Sequence, residues 1–226
     1  MTARETRETD TARETETARE AMTVRETDTA RETGTLRLFH TGYEAVPRPD
    51  PTVGRPDADF GAGFYLSDDA EFSKRWARIR RGRDTVLNEY EFSLDGLNVL
   101  LLDRDEAWYR LIFQNRAGTV GLPADRDWDV VIGPIANDTL YDTGGLLTSG
   151  LLTPAQALSL YRIGPCYRQI AVKSERAAAR LRFRSATVLN PEEVARYRDL
   201  VRREEEEYLA ALAEAAEKMF GEEDPV

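Results

Sequence analysis

The sequence predicts an α+β fold, and three observations carry that reading. Strand-like stretches recur with short helical segments between them, without the regular β-α-β-α order of a doubly wound sheet. No G-x-x-x-x-G-K-[ST] loop occurs, and Gly61-Ala62-Gly63 lacks the third glycine of a dinucleotide fingerprint. A long amphipathic segment after Asn190 predicts one extended C-terminal helix.

The composition narrows the functional classes. Of 226 residues, 41% are hydrophobic, enough for a sizeable core. The formal net charge is −10, which is not the footprint of a general nucleic-acid binder. The basic cluster from Lys74 to Arg83 remains a place to meet an anion. The single cysteine, Cys166, excludes an intrachain disulfide. With one histidine, His40, and no cysteine cluster, no metal site is expected. No apolar run reaches the ~18 residues of a membrane-spanning helix, and no apolar leader is present. The expectation is a cytoplasmic protein with no membrane partner.

Residues 1–35 are low-complexity. A six-residue pattern of the type Thr-Ala-Arg-Glu-Thr-Glu begins at Thr11 and recurs at Thr17, Thr23 and Thr29. Six matches neither a helix face nor a strand face, and apolar residues are nearly absent. Such a segment cannot repay its ordering entropy, so 1–35 reads as a disordered tail, or a tether. The folded domain is expected over 36–190, with residues 191–226 as a helix packed on it or extending from it.

Leu36, Leu38 and His40 alternate with Arg37 and Phe39, as a strand ending at Gly42 would. Residues 45–62 are rich in Pro, Gly and Asp and predict a long loop, the kind of segment that often binds ligands. Gly61 and Gly63 then precede Phe64 and Tyr65, an aromatic pair with one ring toward each side of a short strand. Ser67-Asp68-Asp69 offers a cap for a helix over 70–82 with Phe72, Trp76 and Ile79 on one face. Strands are expected over 85–94 and 97–102, and a helix over 105–115 through Trp108, Leu111 and Ile112.

Residues 127–134 form a short apolar strand stopped by Gly133-Pro134, which delivers Asn137 and Asp138 into a turn. A short helix is expected over 139–148. Thr153-Pro154 starts another, Thr capping and Pro at the first helical position. Further strands are expected over 167–173 and 183–189, with a Ser174-capped helix between them. The run Glu204 to Glu207 on the last helix reads as a solvated face.

Three of these stretches fit one pattern: Phe39-His40-Thr41-Gly42; Phe60 to Asp68 with Ser73 and Trp76 following; and Tyr167 to Val172. Together they resemble the NAD-binding core of the ADP-ribosyltransferase superfamily, on its His-Tyr-Glu branch. With Ile132 to Asp138 included, the chain looks closer still to a small bacterial family of unknown function within it. The resemblance spans about 36–190 and implies split antiparallel sheets with short flanking helices.

It also implies roles. His40 would donate to the adenosine ribose of NAD. Thr41, where Gly is commoner in the family, would hold the nicotinamide amide through the backbone, and Gly42 beside it counts among the NAD-binding residues. Tyr65 would stack on the nicotinamide ring, Trp76 would close its other face, and Ser73 would bond the carboxamide. A Trp on an apolar helix face equally suits a core. Gly61 and Gly63 would let wall and floor approach the ring.

Gln169 falls where the branch carries Glu. Cleaving the nicotinamide–ribose bond builds positive charge on the sugar, which a carboxylate would stabilise. Gln accepts a hydrogen bond without bringing charge. Asp138, Glu91 and Asp59 are the candidates to supply it, Asp138 first. The implied activity is transfer of ADP-ribose from NAD to a macromolecular acceptor, protein or nucleic acid, in a toxin or defence setting. The alternatives are a non-catalytic module that binds NAD or a protein, and plain NAD hydrolysis.

Overall fold

A computed structural model describes residues 35–77, 82–117, 127–137 and 152–221. Residues 1–34 of the expected 1–35 tail, the 139–148 helix and Asp138 lie outside the described residues.

Seven strands and five α-helices occur among them, with a 3-10 helix at Pro51–Val53. The strands are β1 (Thr35–Gly42), β2 (Phe64–Leu66), β3 (Thr85–Ser93), β4 (Val99–Leu101), β5 (Val130–Pro134), β6 (Arg168–Val172) and β7 (Leu181–Leu189). The helices are α1 (Ala70–Lys74), α2 (Glu106–Ala117), α3 (Pro154–Tyr161), α4 (Glu175–Ala178) and α5 (Pro191–Phe220). Thr35 already belongs to β1, so the folded part starts one residue earlier than the composition suggests.

The strands divide into two sheets, β1-β3-β7 and β2-β6-β5-β4. The first is antiparallel throughout. The second is mixed, because β4 runs parallel to β5. A parallel pair needs a long crossover, and α2 lies in the connection that supplies it. This is the one departure from purely antiparallel sheets.

Side-chain alternation sorts the core into layers. Leu38, Phe64, Leu66, Tyr90, Val130, Ile132, Ile170 and Val172 pack between the two sheets. The opposite face of the second sheet contributes Leu100, Val131 and Ala171, which pack against Trp108 and Ile112 of α2, Leu160 of α3 and Val201 and Tyr208 of α5. The C-terminal helix is therefore packed on the domain, through Val194, Tyr197, Val201, Tyr208 and Leu212.

The helix starts follow local chemistry. Thr153 and Gln156 form a reciprocal capping box, with Pro154 at the first helical position. Ser174 and Asn190 cap α4 and α5. Asp69 caps α1 by accepting from Glu71 and Phe72 N–H groups. That helix ends at Lys74, before the expected residue 82, and Arg75 to Ala77 form a turn; residues 78–81 lie outside the described set. Its first turn faces Tyr167, with Phe72 stacked on that ring at 4.3 Å.

No described helix is long and apolar enough to cross a membrane.

Candidate functional site

A cavity of about 920 Å³ opens beside the edge of the first sheet. Its wall includes His40 and Thr41 from β1, Gly63 and Tyr65 at β2, Ser73 and Trp76 from the α1 segment, and Gln169 from β6. Seven of the expected site residues, spread from position 40 to 169, thus meet at one place.

Strand pairing sets the donors of β1. Phe39 exchanges both backbone hydrogen bonds with Ser67, at 2.8 and 2.9 Å. Phe39 N–H and C=O therefore face away from β3, which β1 pairs on its other side. Thr41, two residues on, has the same orientation by strand alternation. Its N–H and C=O point to the open edge beside the cavity, where they match the donor and acceptor of a carboxamide. The Thr41 hydroxyl lies 3.1 Å from the Ser73 hydroxyl, and Ser73 is buried.

His40 is held in one tautomer. Its Nδ1 lies 2.9 Å from the Tyr65 carbonyl, which only accepts, so Nδ1 carries the hydrogen. Burial lowers the His40 pKa below its ordinary value, against the opposing effect of that hydrogen bond. The ring is neutral at pH 7, and Nε2 is left as an acceptor. Such an Nε2 takes a hydrogen bond from a donor such as a hydroxyl group. The ring also tilts against Phe64, centroids 4.5 Å apart.

Gly42 and Gly61 do not line the cavity and act one step behind it. A Cβ on Gly42 would lie 3.2 Å from His40 Nε2, so Gly42 leaves room for the imidazole. Gly61 has φ +72°, a backbone region that favours glycine, and its carbonyl accepts from the Tyr65 hydroxyl at 2.7 Å. The same hydroxyl accepts from Phe60 N–H at 2.9 Å. Burial pushes the Tyr65 pKa well up. The phenol is therefore tied into its own turn, and the ring rather than the hydroxyl serves the cavity. Gly63 admits the protein's own chain: a Cβ there would lie 2.9 Å from the Val172 carbonyl, and one on Gly54 only 2.1 Å from the Gly63 carbonyl. The two glycines thus fold the 43–63 loop onto β2 and β6 more than they clear space for a ligand.

The loop is pinned from inside. Asn88, fully buried, accepts from Val46 N–H at 2.8 Å and donates to the Glu44 carbonyl at 3.0 Å. Tyr90 donates to the Val46 carbonyl at 2.7 Å.

At the far end of that loop lies Asp59, only 4% exposed. Its Oδ2 accepts from Gln169 Nε2 at 2.9 Å and from Ala136 N–H at 3.1 Å. Its Oδ1 takes the Arg116 guanidinium. Asn115 donates to the Asp59 carbonyl at 2.9 Å. Gln169 also donates to the Pro134 carbonyl at 3.4 Å. With its amide nitrogen committed to two acceptors, Gln169 keeps Oε1 as its acceptor at the cavity wall.

Of the three candidate acids, Asp59 is the one at the site. Glu91 is not: it lies on β3 between the inward residues Tyr90 and Phe92, and pairs with Arg184 on the outer face. Asp138 lies outside the described residues. Sequence reasoning did not single out Arg116. The available signal was Asn115, a polar residue seven after Trp108 on the buried face of α2.

No curated protein matches the chain. A family model described as "Protein of unknown function (DUF3990)" matches residues 36–183, which include every residue of the cavity wall. The chain belongs to the DUF3990 family.

Proposed function

We propose that the cavity binds NAD and that the protein moves ADP-ribose to a macromolecular acceptor, releasing nicotinamide. The observation that carries the reading is the joint placement of His40, Thr41, Tyr65, Ser73, Trp76 and Gln169 around one cavity, with Asp59, also in its lining, bonded to Gln169. The resemblance of the same residues to the ADP-ribosyltransferase superfamily supports it.

The residues fit the parts of the substrate. The Thr41 edge suits the carboxamide, as a strand edge suits an added peptide group. The Tyr65 and Trp76 rings suit the nicotinamide, and such stacking is worth about 0.5–1.5 kcal/mol beyond burial. His40 Nε2 and Gln169 Oε1 are acceptors for ribose hydroxyls.

In the reaction the bond between ribose C1′ and the nicotinamide nitrogen breaks, and neutral nicotinamide leaves with the bonding electrons. The acceptor nucleophile bonds to C1′ and gives up its proton. Positive charge builds on the sugar between these events. Gln169 alone offers a dipole to that charge. The Asp59 carboxylate on its Nε2 polarises the amide and makes Oε1 a stronger acceptor, an effect that low dielectric enlarges. Asp59 thus replaces, one residue removed, part of what a Glu would supply directly.

One observation favours a second reading, a non-catalytic NAD-binding module. Arg116 pairs with Asp59, so the local charges balance and little net negative field reaches the sugar. Incubating the full chain with cell lysate and NAD labelled in its adenosine half separates the readings. Nicotinamide release with label transfer, both lost in Gln169→Ala, supports the transferase. Binding without release supports the module, and release without transfer indicates hydrolysis.

A further inference from the structure

The α1 segment carries Ser73 and Trp76, yet its helix has five residues. So short a helix has no stability of its own, and its orientation must come from what it packs against. On one side Phe72 stacks on Tyr167. On the other, three side-chain links run to α5. Arg75 donates to Glu204 through both Nε, at 2.9 Å, and Nη2, at 2.7 Å. Lys74 pairs with Glu193 at 3.2 Å. Tyr197 donates to Glu71. The Arg75 guanidinium also lies 5.0 Å from the centre of the Tyr167 ring.

These links are not surface ornaments. The Arg75 and Glu204 side chains are 12% and 19% exposed, and a two-pronged Arg–carboxylate contact fixes direction as well as distance. Glu193, Tyr197 and Glu204 are spaced four and seven residues apart, so they share one face of α5. Glu204 is thereby separated from the solvated Glu206 and Glu207, against the expectation for the whole run. The family match ends at residue 183, before α5 begins.

We propose that α5 sets the position of Ser73 and Trp76 at the cavity wall, with Glu204 as a positioning residue acting through Arg75. The ligand in this inference rests on the NAD reading above; the mechanical link does not.

The test is Glu204→Gln in the full chain, with Glu207→Gln as an exposed control on the same helix. The apolar stripe of α5 is untouched in both, so the fold is retained. Hydrogen exchange of the amides from Phe72 to Ala77 should become about tenfold faster in Glu204→Gln, with β3 and β6 unchanged. The dissociation constant for NAD should rise about fivefold, as expected for a stacking wall held less firmly. Glu207→Gln should leave both unchanged. Unchanged exchange at 72–77, equal acceleration in β3 and β6, or unchanged NAD affinity would each overturn the proposal. If the wild-type chain does not bind NAD, the NAD reading fails, and the exchange arm alone decides whether α5 holds the segment.

Discussion

Gln169 Nε2 donates to Asp59 Oδ2 at 2.9 Å across 110 residues of chain, joining the 43–63 loop to the central strand β6. This bond places a carboxylate against the amide at the cavity wall.

The bond makes Gln169→Glu a loss. The substitution would turn a donor toward Asp59 into a second carboxyl oxygen. Two carboxylates this close cannot both ionise, so one takes up a proton. The variant is expected to lose about 1–3 kcal/mol of stability, read by urea denaturation, and to release nicotinamide no faster than wild type. Asp59→Asn combined with Gln169→Glu restores a donor–acceptor pair between the two side chains but turns the new donor on the Ala136 N–H, so it should recover only part of the loss.

Asp59→Ala should be costlier. It removes the carboxylate shared by the Arg116 guanidinium, the Ala136 N–H and the Gln169 amide, and leaves Arg116 only neutral partners such as the Tyr161 hydroxyl in a largely buried place. Breaking one side of a buried pair costs about 3–5 kcal/mol, and partial exposure of Arg116 puts the expected value near the lower end, about 3 kcal/mol. Denaturant midpoints at constant m-value measure it.

Tyr65 separates ring from hydroxyl. Tyr65→Phe removes the bonds to Phe60 N–H and the Gly61 carbonyl, and should cost about 1–2 kcal/mol of stability. The stacking face remains, so nicotinamide affinity should change little. Competition between nicotinamide and a fluorescent NAD analogue gives that affinity.

His40 predicts a flat pH profile. Its folded-state pKa is lowered from the ordinary value, so the neutral ring is the majority form at pH 6.5 and above. NAD affinity should vary by less than about twofold between pH 6.5 and 7.5. Below its ordinary value the unfolded chain binds the proton first, so His40 takes stability away as pH falls. Affinity that climbs on acidification through 6.5 would show a charged His40 instead.

Acid stability depends on another carboxylate. Burial raises the Asp129 pKa, but hydrogen bonds from Arg176, Ser174 and the Asn98 N–H outweigh it and hold it at about 2. The contribution is complete above the ordinary carboxylate value and is lost as pH falls from about 4 to about 2. In Asp129→Asn that part of the acid transition should disappear from a pH titration of the melting temperature.

Much of this was legible in the sequence, for local reasons. The alternation in 36–40 and 64–66 fixes which side chains face inward, and Thr153, Ser174 and Asn190 announce their helices through caps. His40, Tyr65 and Gln169 sit on strands whose period is strict, so their faces could be read. What was hidden is set by pairing between distant segments. Nothing near Asp59 tells that it meets Gln169 and Arg116, since a loop has no period. Glu91 had the right chemistry on the wrong face of β3. Glu204 looked solvated because its partner, Arg75, lies 129 residues away. The early end of α1 reflects its packing on Tyr167 and α5, which propensity does not record.

Calorimetric titration of NAD into the full chain and into Tyr65→Ala tests the central claim most directly. Saturable one-to-one binding to the wild-type chain, weakened at least about tenfold by loss of the stacking ring, is the predicted result. No saturable heat with the wild-type chain, or equal affinity in both proteins, would contradict the assignment of this cavity to NAD.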